Sequence, residues 1–171
     1  SKNAGCQFPP AHVVLEEPRE PGPPVEADRV RVDGKFFRLG DRRWHPKGVT
    51  YGPFRPQEDG TFLPSRERVR SDFQTMRALG INAIRVYHPP PRWLLDDAWD
   101  CGIQVLIDVP WQKHRCFFED WPARKEAMDR VRETARLLGN HPAVFAISVA
   151  NEIPKTIVRF YGARRVERFI E

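Results

Sequence analysis

Asn151 and Glu152 close the apolar run Val144-Phe145-Ala146-Ile147-Ser148-Val149-Ala150. Desolvation at the end of such a run raises a carboxyl pKa and keeps the group protonated near neutrality, as a general acid requires. The same position suits a helix N-terminal glutamate placed on the dipole of the next helix. The residues alone weigh the two readings equally. Arg85 sits within Asn82-Ala83-Ile84-Arg85-Val86-Tyr87-His88. A guanidinium keeps its charge, so inside an apolar strand it needs a carboxylate or a polar ligand. Period-two alternation puts Arg85 and Tyr87 on one face. A structural ion pair is the alternative to a binding role. His88 ends this segment, where a lone histidine is more often a hydrogen-bonded loop residue than a catalyst. Asp108 closes the run from Ile103 and is placed to orient Arg85 or a ligand hydroxyl, or simply to be hydrogen-bonded at a strand end. Trp111 follows Val109-Pro110, with Trp93, Phe117, Phe118 and Trp121 nearby. Aromatic faces suit apolar ligand faces and ordinary packing alike. Trp93 and Trp121 are expected in the core, and Trp111 is kept as a ligand contact. Tyr51 ends the short run Gly48-Val49-Thr50-Tyr51.

The elements that must position these residues alternate. Val30-Arg31-Val32, the turn at Asp33-Gly34 and Phe36-Phe37-Arg38-Leu39 predict a small hairpin. A second turn at Gly40-Asp41 leads to Trp44. Strands are expected near 46–51, 82–87, 103–109 and 143–150, the last two as apolar as parallel strands buried on both faces. Between them, Val69, Phe73, Met76 and Leu79 predict a helix over 66–79 with Ser65 as N-cap and Gly80 as the stop. A second helix is expected over 91–99. A third, over 122–138, is amphipathic through Met128, Val131, Ala135 and Leu138. A last arginine-rich helix is expected over 155–170. This βαβαβαβα order means an α/β protein with a parallel sheet. The candidates Tyr51, Arg85, Tyr87, His88, Asp108, Trp111, Asn151 and Glu152 all fall at strand C-termini, the rim where a (β/α) barrel does its chemistry. The loop over 52–64 is long, polar and glycine-containing, suited to lining a cleft or to crossing solvent.

Composition limits the alternatives. At 171 residues, 40% hydrophobic and 30% charged, the chain is sized and balanced for one folded soluble domain. Residues 1–28 hold six prolines and little periodicity, and are expected to form an arm or linker ahead of a domain over 29–171. No apolar run reaches the ~18 residues of a membrane helix, and the first ten residues have no signal-like apolar core. The net charge of +5 is spread over several helices, which fits a solvated surface rather than a nucleic-acid footprint. The three cysteines, Cys6, Cys101 and Cys116, form no C-x-x-C, so neither a disulfide framework nor a zinc site is indicated, and a reducing, cytoplasmic setting is the default. No glycine-rich phosphate loop follows any strand. No cofactor or metal is expected.

The motifs carry a resemblance. Lys35-Phe36-Phe37-Arg38-Leu39 through Gly48-Val49-Thr50-Tyr51 resembles the entry into the catalytic barrel of clan A glycoside hydrolases. Leu79-Gly80-Ile81-Asn82-Ala83-Ile84-Arg85-Val86-Tyr87 is similar to their second strand, and Gly102-Ile103-Gln104-Val105-Leu106-Ile107-Asp108 to their third. Gly139-Asn140-His141-Pro142-Ala143-Val144 through Asn151-Glu152 resembles the fourth strand with its Asn-Glu pair. Within that clan the motifs resemble those of the family two glycosidase barrels and the β-1,3-glucanosyltransferases. The resemblance implies a TIM-type (β/α)8 barrel, here its first four βα units behind the hairpin, and a carbohydrate substrate. It implies retaining chemistry on β-glycosides, by hydrolysis or transglycosylation, with Glu152 as acid/base and Asn151 on the sugar 2-hydroxyl. Arg85 would steady the nucleophile, a second glutamate on the family's seventh strand that these motifs do not include. The expectation is therefore a half-barrel, inactive alone. Two other readings stay open: a non-catalytic carbohydrate-binding or scaffold module, and self-association through open barrel edges.

Overall fold

The computed structural model describes residues 29–55, 62–110 and 121–149, together with Arg159, Gly162, Arg164 and Glu167. The expected arm over 1–28 lies outside the described residues. So does most of the helix expected over 155–170, of which Arg159, Arg164 and Glu167 are helical.

The chain enters through an antiparallel meander, β1 (Val30–Asp33), β2 (Phe36–Leu39) and β3 (Arg42–Trp44). Asp33 pairs with Phe36 and Leu39 with Arg42, leaving two two-residue turns. Gly34 and Gly40 open those turns at φ 61° and 56°, the left-handed region that two-residue hairpins need and glycine enters without strain. The expected hairpin is thus one strand short, because the second turn folds Arg42–Trp44 back beside β2. Phe37 and Trp44 then meet Phe145 edge-on, at centroid distances of 5.7 and 5.2 Å.

Four parallel strands follow in sequence order: β4 (Gly48–Thr50), β5 (Ala83–Val86), β6 (Gln104–Asp108) and β7 (Val144–Ser148). Between them run α1 (Arg66–Ala78), α2 (Arg92–Asp100) and α3 (Trp121–Leu138). The parallel sheet and alternating helices are those the sequence predicts. The Ser65 hydroxyl caps α1 by accepting from the Arg68 N–H.

Register assigns each residue a face. Ile84, Val105 and Val144 share one row, and Val86, Ile107 and Ile147 the next row of the same face. This face packs with Val69 and Phe73 of α1 and Leu94, Leu95 and Ala98 of α2 into one core. Full burial of each such side chain stabilises by about 1.5–3 kcal/mol. The opposite face carries Thr50, Arg85, Leu106 and Ala146 in one row, with Asp108 and Ser148 in the next row up. A register shift leaves Phe145 unpaired between Val144 and Ala146. Such a bulge re-aims a side chain, here toward the meander.

The α1–α2 contact is also ionic. Asp97 is buried, and its carboxylate accepts from Arg66 at 2.9 and 2.9 Å and from Arg70 at 3.2 and 3.4 Å. Three sequence expectations are corrected. The inward stripe of α3 is Ala123, Ala127, Val131, Thr134 and Leu138, whereas Met128 and Ala135 are exposed. The small alanines at positions 123 and 127 share the inward side with Val131, and Met128 falls one residue, about 100°, away. Trp121, expected in the core, is 69% exposed at the start of α3. Cys101 is disulfide-bonded, although the cysteine spacing carried no such signal; the only other cysteines, Cys6 and Cys116, lie outside the described residues. Disulfides persist in oxidising compartments. Among the described residues no helix is long and apolar enough to cross a membrane.

Candidate active site

The C-terminal ends of β5 and β6 meet through Arg85 and Asp108. Arg85 Nε donates to Asp108 Oδ2 at 2.8 Å, and a second guanidinium nitrogen stands 2.7 Å from the same oxygen. The Asp108 side chain is 3% exposed and that of Arg85 36%. Asp108 Oδ1 is buried and has no hydrogen-bond partner among the described residues. A buried unsatisfied acceptor costs about 1–3 kcal/mol, and such groups cluster at working sites. Of the roles the sequence leaves open for Asp108, orienting Arg85 is realised by Oδ2. The Arg85 guanidinium lies 5.3 Å from the centroid of the Tyr87 ring, on the shared face that alternation predicts.

Tyr51 does not join this group. Thr50 pairs with Arg85, so the next residue turns to the opposite face. There Tyr51 is 6% exposed, against Phe54 and Phe73 at centroid distances of 4.9 and 5.6 Å. Its hydroxyl donates to Asp72 Oδ2 at 2.9 Å. Burial first, and the Asp72 carboxylate second, raise the phenol pKa and keep it protonated. Tyr51 is therefore a buried link between β4 and α1, which corrects its assignment as a substrate contact. His88 is exposed and stacks on Phe62, rings 5.3 Å apart and 23° from parallel. No motif or spacing in the sequence singles out Phe62; the loop over 52–64 is expected to line a cleft only as a whole. Trp111, Asn151 and Glu152 lie outside the described residues. Ser148, three residues before Asn151, pairs with Asp108, so β7 ends beside the ion pair. Among the described residues no group of three or more His, Cys, Asp or Glu is placed to hold a metal.

The family model of the glycosyl hydrolases family 2 TIM barrel domain matches residues 30–166. No curated protein matches the chain. Among solved structures, a Ruminococcus gnavus β-glucuronidase superimposes with a TM-score of 0.61 at 22% identity, covering 84% of this chain and 26% of that one. A family 2 β-galacturonidase from Eisenbergiella tayi gives 0.57 at 27% identity, covering 70% and 22%. A Bacteroides uniformis β-glucuronidase gives 0.53 at 21%, covering 83% and 18%. The chain thus spans about a quarter or less of the length of these proteins. A four-stranded parallel sheet with its helices, an arginine–aspartate pair at the strand ends and a family match across most of the chain agree: this chain belongs to glycosyl hydrolase family 2, as part of its TIM barrel domain.

Proposed function

We propose that this domain supplies the proton-donor side of a retaining β-glycosidase site. The observation that carries the reading is the Arg85–Asp108 pair at the C-terminal ends of adjacent parallel strands, in a chain of this family. An alkoxide is a poor leaving group at neutral pH, so the glycosidic oxygen must receive a proton as its bond breaks. Glu152 is the proposed donor, and it then acts as the base that activates water or an acceptor sugar. Asn151 holds the sugar 2-hydroxyl. Arg85 steadies the carboxylate nucleophile, while Asp108 fixes the guanidinium. Tyr87, His88 and Trp111 face the sugar. Retention requires a second carboxyl about 5–5.5 Å from the acid. The family carries it on its seventh strand, and the described residues form four parallel strands. The 171-residue chain is therefore proposed to be without turnover on its own.

The test uses a protein containing the complete barrel, wild type against Glu152→Gln. Substrates with poor leaving groups are expected to lose far more rate than aryl β-glycosides, whose leaving group needs no proton. Glucuronides and galacturonides belong in the panel because the structural neighbours carry those names. Equal loss on both substrate types would remove Glu152 from the acid role. Sugar binding left intact with no turnover in the complete barrel would favour a carbohydrate-binding module.

A further inference from the structure

Positive charge is concentrated in the meander. Val30 to Trp44 hold five cations, Arg31, Lys35, Arg38, Arg42 and Arg43, against two acids, Asp33 and Asp41. That is a net +3 in 15 residues, where the whole chain carries +5 in 171. Pairing sets Arg31 opposite Arg38 and Arg38 opposite Arg43, so one row crosses all three strands with an arginine in each. Like charges directly opposite one another destabilise a sheet, and strands ~4.8 Å apart hold the three within about 10 Å. Alternation points this row away from Phe37 and Trp44, which pack on Phe145. All three arginines are exposed. Two are braced. Arg38 stands 3.0 and 3.1 Å from Asp33 Oδ2, and the Arg43 guanidinium lies 4.3 Å from the centroid of the Phe36 ring. Lys35 Nζ is 5.4 Å from the same centroid. Phe145 is the second residue of β7, whereas Ser148, beside Asp108, is its last. The arginine face therefore stands toward the end of the sheet away from the ion pair.

We propose that this face docks a polysaccharide that bears carboxylates along its length. The guanidinium fork matches a carboxylate with two parallel hydrogen bonds. Three forks in a row meet successive carboxylates of one chain, and contacts made by one polymer reinforce each other as avidity. An exposed ion pair is worth little, so Asp33 orients Arg38 without shutting out a competing carboxylate. Head groups braced in advance lose less freedom on binding. The choice of a sugar polymer rests on the family to which the chain belongs, not on the roles proposed for Asn151 and Glu152. Single-stranded nucleic acid asks for open aromatic faces on which bases stack. Phe36 is the one aromatic on this face of the strands, and Arg43 and Lys35 lie over it. A neutral polysaccharide would find no open ring there either. A membrane surface asks for apolar residues to bury as well as charge, and the face offers Phe36 alone.

The experiment titrates the 171-residue chain with polygalacturonate by calorimetry at low ionic strength. Saturable binding that weakens as salt is added is expected, since exposed charges are screened. The double variant Arg38→Gln/Arg43→Gln should weaken it about fivefold, within the range two exposed charge contacts supply. Arg132→Gln/Arg136→Gln removes the same charge from exposed positions on α3 and should change binding by less than about twofold. Asp33→Asn removes the acid from the arginine face and should tighten binding about twofold; it carries the test if the first double variant misfolds. Dextran, an uncharged polysaccharide, should not bind. Absence of saturable binding, equal losses from the two double variants, or no tightening by Asp33→Asn would each overturn the proposal. Tighter binding to oligothymidine or to phosphatidylserine vesicles, lost in Arg38→Gln/Arg43→Gln, would also overturn it and give the face to nucleic acid or to a membrane.

Discussion

Removing the Asp108 carboxylate isolates the ion pair from the rest of the fold. In Asp108→Ala the Arg85 guanidinium loses a partner at 2.7–2.8 Å, while the small alanine adds no new contact. Breaking a fully buried pair costs about 3–5 kcal/mol, because the surviving charge is stranded. Arg85 is 36% exposed and stays partly hydrated, so the cost should fall to about 2–3 kcal/mol. The unsatisfied Oδ1 disappears with the side chain and offsets part of the loss. For a chain of this size each kcal/mol moves the melting temperature by about 2–4 °C, so a drop of about 4–12 °C is expected. The assay is reversible thermal and urea unfolding at neutral pH, run as a cycle with Arg85→Met. If the pair acts as one unit, the double variant is no less stable than Asp108→Ala, with a coupling of at least about 1 kcal/mol. A pair this enclosed should also respond weakly to salt. A loss below about 0.5 kcal/mol, or strictly additive single losses, would refute the structural account of Asp108.

Further outcomes follow from other residues. Tyr51→Phe should cost about 1 kcal/mol through the lost hydrogen bond to Asp72 and leave sugar binding unchanged, since that side chain faces α1; weakened sugar binding with unaltered stability would return it to the site. Asp100 stands at the exposed C-terminal end of α2, and desolvation together with neighbouring Asp97 and Asp96 raises its pKa. The folded state therefore holds this proton more tightly than the unfolded state. The resulting contribution is full below the ordinary carboxylate pKa and is lost as pH rises through the raised one. Asp100→Asn should accordingly stabilise slightly at pH 7 and lose that advantage below about pH 4, as melts across the range would show. Phe73→Ala, deleting a fully buried ring, should cost about 3–5 kcal/mol, whereas Trp121→Ser should stay within about 0.5 kcal/mol; similar effects from both would contradict the burial pattern. With Cys101 disulfide-bonded within the chain, alkylation of the denatured, unreduced protein should label one of the three cysteines. β4 and β7 are the two end strands of the parallel sheet, so self-association is expected and light scattering should exceed the 19.9 kDa of the monomer.

The order of elements was legible in the residues because periodicity is a local property. The heptad-like spacing of Val69, Phe73 and Met76 and the mostly apolar run from Ile103 into Asp108 each report how one segment meets an interior. Family membership was legible for a related reason: four short motifs occur in a fixed order around those elements. What the sequence by itself could not decide was which face each residue takes in the assembled sheet. Tyr51 and Arg85 both stand near strand ends, but Thr50, not Tyr51, is the partner of Arg85, and that one-residue register sends Tyr51 to α1. The third meander strand depends on pairing with β2, and the bulge at Phe145 on matching β7 to β6. The inward stripe of α3 depends on which side of the helix the sheet occupies, which moved Met128 outward. The stack of Phe62 on His88 links residues far apart in the chain, and nothing local to Cys101 marks it for a disulfide. Such pairings exist only once strands and loops are brought side by side, and tertiary structure alone decides them.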